Sequence, residues 1–230
     1  MFNIAEHKAQ LRAYFDGLGF ERWSAIYGDH QLSPIRQTIR EGHAQMLERA
    51  LAWLDAGTLP RTVLDAGCGT GLFTQALAER GAHVTAVDIA PQMVEATAAR
   101  LHSHGLARSA TCAASDLEAV RGTFDLVACF DVLIHYPGAA FARLCGHLAQ
   151  QSSNQLLITY APYSPLLALL HRIGGFFPHS QRRTEIQMIK AEVVHAVLAA
   201  HGFVIEHEVH IRHRFYHVTL LGATRQGGSV

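Results

Sequence analysis

Between positions 65 and 71 the chain reads Asp65-Ala66-Gly67-Cys68-Gly69-Thr70-Gly71, a bend of alternating glycines headed by an acid. Val63-Leu64 before it closes a short apolar run. After it, Leu72, Phe73, Ala76 and Leu77 recur on one helical face, so the glycines fall between a buried strand and an amphipathic helix. Backbone without Cβ atoms can approach a ligand closely there. A second acid, Asp88, stands 21 positions beyond Gly67 at the end of the next apolar run, where a carboxylate can accept both hydroxyls of a ribose.

The nearest competing use of such a bend carries a pyrophosphate on a helix N-terminus through G-x-G-x-x-G. Here the spacing is G-x-G-x-G, and Leu72 stands where the third glycine would be. Asp65 would repel a pyrophosphate but can accept a hydrogen bond from an ammonium. The pattern favours a ribose-bearing ligand with an ammonium and no phosphate.

The elements that must position these groups follow from periodicity. Apolar runs at Thr62 to Asp65, His83 to Asp88, Ser109 to Ala113, Phe124 to Phe130 and Gln155 to Tyr160 alternate with helical stretches, which implies βαβ units and a parallel sheet. Pro91 suits the first turn of the helix running to about His102. Phe203 to Val209 and Arg214 to Leu221 read as strands joined by only a few residues, too few for a parallel crossover, so the last strand should run antiparallel to its neighbour. The expected fold is α/β and Rossmann-like. Residues 1–58, broken by Gly17, Gly19, Gly28 and Pro34, read as a helical cover, and 59–225 as the main domain with an insertion at 161–189 that could cover a substrate.

Composition narrows the function. With 19 basic and 19 acidic side chains among 230 residues, nothing draws the chain to nucleic acid. The four cysteines form no C-x-x-C pair, and the sixteen histidines are dispersed with no H-E-x-x-H motif, so neither a disulfide framework nor a protein-bound metal is indicated. The cysteines read as reduced, buried thiols. No apolar run approaches the roughly 18 residues that span a bilayer, and the N-terminus lacks the continuous apolar segment of a signal peptide.

Through Asp65-x-Gly67-x-Gly69-x-Gly71, Asp88-x-x-x-x-Met93 and Ser115-Asp116-Leu117, the stretch from Thr62 to Tyr160 resembles the class I S-adenosylmethionine-dependent methyltransferases. The resemblance implies a seven-stranded sheet with an antiparallel last strand. It implies S-adenosylmethionine as cosubstrate, with the glycine turn beside its methionyl part, Asp88 on the ribose, Asp116 and Leu117 on the adenine side, and Ile89 and Met93 flanking the adenine. An apolar pair such as Ile89 and Met93 is equally good core.

Over nearly its whole length the chain also resembles the magnesium-protoporphyrin IX O-methyltransferases of bacteriochlorophyll and chlorophyll synthesis. The residues that carry this are the aromatic and glycine-rich Tyr14 to Gly28, Asp131-Val132-Leu133-Ile134-His135-Tyr136, and Pro162-Tyr163-Ser164-Pro165. The resemblance, closest to the bacterial branch, implies methylation of one propionate of magnesium protoporphyrin IX, with Tyr27 and His135 as active-site residues. Magnesium would arrive inside the porphyrin. His171 and His179 stand in the insertion where they could face that substrate, and Arg172, Arg182 and Arg183 could meet its second propionate, although a basic cluster in a loop is more often a solvated surface. The same resemblance implies a cytoplasmic location with peripheral contact at an inner or photosynthetic membrane, and delivery of the porphyrin by a magnesium chelatase subunit. A methyltransferase for a phenolic quinone precursor is the alternative; a noncatalytic cofactor-binding module is more remote.

Overall fold

A computed structural model describes residues 3–21, 33–163 and 186–227. Tyr27, most of the expected insertion and its residues His171, Arg172, His179, Arg182 and Arg183 lie outside the described residues.

The sheet follows from apolar runs with no polar alternation, the mark of strands covered on both faces. The parallel strands are β1 (Thr62–Ala66), β2 (His83–Asp88), β3 (Ala110–Ala114), β4 (Phe124–Cys129) and β5 (Ser152–Pro162). A two-residue strand β6 (Met188–Ile189) pairs parallel with the end of β5, and β7 (Phe203–His213) and β8 (Tyr216–Arg225) complete the order β3-β2-β1-β4-β5-β8-β7. β8 runs antiparallel to both β5 and β7, as the short hairpin requires. The two strands reach further than the sequence indicates. Arg214, expected within the last strand, instead lies in the turn with Phe215 and takes a left-handed φ of 48°. Short β6 adds an eighth strand to the seven expected.

Adjacent residues on a strand point to opposite faces, and the core divides accordingly. Leu64, Val127 and Leu156 join one buried cluster, while their neighbours Val63, Leu126 and Leu157 join the other. The first face is covered by α5 (Gly138–Gln151) and α6 (Ala191–Ala200), through Phe141, Leu144, Leu148, Val194 and Leu198. The second is covered by α2 (Pro34–Asp55) and α3 (Leu72–Glu79), through Met46, Ala50, Leu54, Phe73 and Leu77. Fully burying a side chain such as Phe141 or Leu144 contributes about 1.5–3 kcal/mol. α4 (Pro91–Ser103) packs beside β2 and β3 with Pro91 in its first turn, as expected.

The N-terminal segment is helical in its described parts. α1 (Ile4–Phe15) is capped by Asn3, whose Oδ1 accepts from the Ala5 and Glu6 amides. Pro34, read as an interruption, stands at the start of α2, where its missing N–H costs nothing. Every fourth residue of α2 from Thr38 to Leu54 is buried. Gly42 belongs to that stripe: a Cβ built there would meet the Tyr216 ring at 2.5 Å, so this helix-interior glycine, unfavourable by about 1 kcal/mol against alanine, is what lets Tyr216 lie against the helix.

Candidate active site

Sheet order reverses direction between β1 and β4, so the connections leaving their carboxyl ends part to opposite faces and open a crevice. Asp65, Gly67, Gly69, Asp88, Ile89, Met93, Leu117 and His135 line a single cavity there. Gly71 and Asp116 are not in its lining.

The glycine turn is fastened from behind. The amides of Gly67 and Cys68 both donate to the Val87 carbonyl, at 2.7 and 3.0 Å, and the Gly71 amide closes the bend onto the Cys68 carbonyl at 2.9 Å. From α4, Thr97 Oγ1 donates to the Gly69 carbonyl at 2.8 Å and Arg100 Nε to that of Thr70 at 2.7 Å. Gly67 has φ 89°, and a Cβ there would stand 2.1 Å from Val132 Cγ2. Gly69, at φ 54°, would point a Cβ into open space. Backbone that is tight behind and bare in front forms a cradle.

Two carboxylates bracket it. Asp65 is only 3% exposed and accepts from Thr74 Oγ1 at 2.5 Å. Burial pushes its pKa up to about 6 against the opposing hydrogen bond from Thr74, and the nearby charge of Asp88 adds to the rise. An ionised Asp65 therefore needs a cation. Asp88 accepts from the Gly69 amide at 3.0 Å through Oδ2 and from the Ala90 amide at 2.9 Å through Oδ1, so it ties the turn to the start of α4. Burial raises its pKa too, while those backbone amides favour the ionised form. The donor set suits a ligand with an ammonium and neighbouring hydroxyls, which is what S-adenosylmethionine offers.

The opposite wall is the end of β4. Asp131 takes a left-handed φ of 56°, a conformation that costs a non-glycine residue about 1–3 kcal/mol, and lines the cavity. Its amide donates to Thr159 Oγ1 at 2.7 Å; Thr159 in turn donates to Oδ1 at 3.2 Å, and Tyr216 donates its hydroxyl to Oδ2 at 2.8 Å. His135 follows in a single 3-10 turn, 7% exposed. His7 Nε2 donates to its carbonyl at 2.8 Å, and Phe15 meets its ring edge-on at 5.5 Å. Neighbouring Tyr136 is buried and its hydroxyl pushed strongly upward by that burial, which unsuits it to acid–base work at neutral pH.

α1 closes the top. Lys8 Nζ binds Asp116 Oδ2 at 2.6 Å and also Glu118, Asp16 accepts from the Gln92 amide at 3.0 Å, and Leu11 and Phe15 face the cavity. Burial alone would lower the Lys8 pKa, but the two carboxylates more than offset it and hold it raised. Asp116 also accepts from the Glu118 amide, so its carboxylate is engaged on both oxygens. The sequence does not reveal Lys8, Thr97, Arg100 or the Asp131 network. For Asp131 a signal exists: like Asp65 and Asp88, it is an acid at the carboxyl end of an apolar run.

Cys68, Cys129 and Cys145 are buried, whereas Cys112 on edge strand β3 is only half-buried; all four are free thiols. Among the described residues no cluster of three or more His, Cys, Asp or Glu side chains is placed to hold a metal ion.

Comparison with known proteins agrees with this geometry. Residues 63–151 match a methyltransferase domain family, and residues 129–225 match the family described as magnesium-protoporphyrin IX methyltransferase C-terminus. The magnesium-protoporphyrin O-methyltransferase of Synechocystis sp. is 37% identical over 229 residues, covering 98% of this chain and 100% of the relative. The chloroplastic magnesium protoporphyrin IX methyltransferase of Arabidopsis thaliana is 35% identical over 223 residues, 94% of this chain and 70% of the relative. A crystal structure of the Synechocystis PCC 6803 magnesium protoporphyrin IX methyltransferase with bound S-adenosylhomocysteine superposes with a TM-score of 0.87 at 36% identity, over 95% of this chain and 100% of that one.

Proposed function

The chain belongs to the magnesium-protoporphyrin O-methyltransferase family, and from that premise we propose that it methylates one propionate carboxylate of magnesium protoporphyrin IX, leaving the monomethyl ester and S-adenosylhomocysteine. The observation that carries the reading is the extent of the likeness: it runs through the glycine turn and continues through residues 129–225, among which Phe130, Asp131, Val132, His135 and Tyr136 line the crevice. The step belongs to chlorophyll-type pigment synthesis, and its bacterial branch is part of the proposal.

S-adenosylmethionine supplies a methyl group activated by a positively charged sulfur. Asp65 would hold its ammonium, Asp88 the ribose hydroxyls, and Ile89, Met93 and Leu117 the adenine faces, with Asp116 at the adenine edge once Lys8 shares it. The propionate needs no base, since a carboxyl with an ordinary pKa near 4 is already ionised at neutral pH. Its oxygen bonds to the methyl carbon as the carbon–sulfur bond breaks, the electron pair staying on sulfur, and no proton is released. What the protein contributes is alignment, worth about 7 to 11 kcal/mol in favourable cases. His135 would donate to the non-attacking carboxylate oxygen and Tyr27 would help from the N-terminal cover. α1 and α2 form the described part of that cover; excluding water strips hydration from two opposite charges that cancel as the methyl moves.

A porphyrin this apolar is best handed over rather than released, which favours a chelatase subunit as the donor. No described helix is long and apolar enough to cross a membrane, so any membrane contact is proposed as peripheral.

The test is product analysis after incubation with methyl-labelled S-adenosylmethionine and magnesium protoporphyrin IX. A labelled ester that alkali releases as methanol is expected; no labelled porphyrin at saturating cosubstrate would reject the reading. A phenol, with its pKa near 10, would need a true base. His135→Ala should therefore lower turnover here without a new pH dependence, whereas a phenol methylase would lose turnover with a marked one.

A further inference from the structure

Among the described residues only Arg214 and Asp131, apart from glycines, take a left-handed backbone conformation. Arg214 turns an exposed hairpin. Asp131, with φ 56°, stands at the end of β4 in the wall of the cavity. A conformation that glycine or asparagine would adopt more easily, kept by another residue beside a site, points to a role there.

The side chain is clamped twice. The hydroxyl of Thr159, fully buried on β5, accepts from the Asp131 amide at 2.7 Å and donates back to Oδ1 at 3.2 Å. Tyr216, on β8, donates to Oδ2 at 2.8 Å, and its ring fits there because α2 carries glycine at position 42. Binding of the acceptor does not account for an acid at this place, since a carboxylate in the wall repels a propionate. The backbone conformation alone does not account for it either. What aspartate adds is two acceptor oxygens, one for each hydroxyl, which lock the torsion from two directions.

The next residue, Val132, lies against the glycine turn: a Cβ on Gly67 would stand 2.1 Å from Val132 Cγ2. The Val132 carbonyl then accepts from the His135 amide at 3.0 Å, which closes the 3-10 turn that carries His135. The torsion at residue 131 therefore sets two things at once, the gap between this wall and the cosubstrate cradle, and the placing of His135. Relaxed to an ordinary negative φ, the chain would leave β4 in another direction and both would change. Methyl transfer is sensitive to such shifts, because a misplacement of about 1 Å can slow a reaction about a hundredfold.

We propose that Asp131 is a positioning residue for methyl transfer, clamped by the Tyr216 and Thr159 hydroxyls so that its left-handed backbone holds Val132 against the glycine turn and His135 at the acceptor. The assignment rests on the function proposed above and on the part given there to His135.

The experiment compares wild type with Asp131→Ala, Asp131→Asn and Tyr216→Phe. It measures single-turnover methyl transfer to magnesium protoporphyrin IX, affinity for S-adenosylhomocysteine and for the porphyrin, and the His135 imidazole signals in the NMR spectrum of the S-adenosylhomocysteine complex. Asp131→Ala should slow transfer about a hundredfold. Tyr216→Phe keeps the ring on Gly42 and loses one hydrogen bond, so about tenfold is expected, and it carries the same test should Asp131→Ala not fold. Asp131→Asn keeps an acceptor oxygen and tolerates the conformation, and should recover to within about tenfold of wild type. Affinity for both ligands should stay within about threefold, since a loss confined to the rate marks an interaction that acts in the transition state, and the His135 signals should move in Asp131→Ala and Tyr216→Phe. A wild-type rate in Asp131→Ala would overturn the assignment, and so would a slower rate matched by equal loss of both ligands, which marks general disruption. Asparagine no better than alanine would overturn it as well, by showing that charge rather than the clamp matters, and so would unmoved His135 signals. Wild type that makes no ester would remove the substrate reading, and the His135 signals alone would then decide whether the clamp positions the turn.

Discussion

The two ends of the crevice are built by different means. At the β1–β2 end, a run of backbone amides and carbonyls fixes the glycine turn, and the groups that close it, Asp88 at the end of β2 and Thr97 and Arg100 on α4, come from the elements that directly follow it in the chain. At the β4 end, the geometry rests on side chains from distant segments: Tyr216 of β8 and Thr159 of β5 converge on Asp131, while His7 of α1 reaches the carbonyl of His135. The first end can serve any acceptor. The second must be assembled anew for each, so it uses residues that can change without disturbing the sheet.

If that contrast is right, the largest effects come from the backbone end. Gly67→Ala adds a Cβ 2.1 Å from Val132 Cγ2 at a positive φ. It should destabilise the protein by about 3 to 4 kcal/mol and abolish cosubstrate binding, read by thermal unfolding and calorimetry. Gly69→Ala, facing open space, should lose only about 1 kcal/mol, and equal losses at the two positions would break the description of the cradle.

Asp65→Asn should separate stability from binding. Because the folded-state pKa is raised from 3.8 to about 6, the unfolded chain ionises first as pH rises, and this residue's contribution to stability falls between pH 3.8 and about 6, then stays level above. The substitution should therefore stabilise the unliganded protein at pH 7 by about 2 to 3 kcal/mol, seen in denaturant unfolding, while weakening the cosubstrate. A variant both less stable and equally binding would contradict the assignment.

The side-chain end should yield smaller changes that spare the cosubstrate. Gly42→Ala would push the Tyr216 ring from α2 and cost about 2 kcal/mol, and should lower turnover with magnesium protoporphyrin IX while leaving S-adenosylhomocysteine affinity within twofold or so. Smallest is Lys8→Ala. Its bridge to Asp116 and Glu118 is partly solvated, with side-chain exposures of 39% and 32% on the acid side, so about 0.5 kcal/mol is expected in unfolding measurements.

The same contrast explains what the sequence made legible. Asp65, the glycines and Asp88 lie at the ends of contiguous apolar runs, so their meeting follows from one crossover. The β7–β8 hairpin was readable from the shortness of its connection, though not that Arg214 would turn it at positive φ, since nothing marks a non-glycine residue for that conformation. The pairing of Lys8 with Asp116, and of Asp131 with Tyr216, joins segments far apart in the chain and depends on how helices settle on the sheet. Gly42 was a usable hint: a glycine in mid-helix asks what large group lies against it.

The central claim is that the turn binds a phosphate-free nucleoside whose ammonium pairs with ionised Asp65. Its most direct test is calorimetric titration with S-adenosylhomocysteine from about pH 5 to pH 8 for wild type and Asp65→Asn. Wild-type affinity should fall as pH drops through about 6, where Asp65 takes up its proton, and Asp65→Asn should bind more weakly with a flatter profile. Two superimposable curves would show that Asp65 does not hold the ligand.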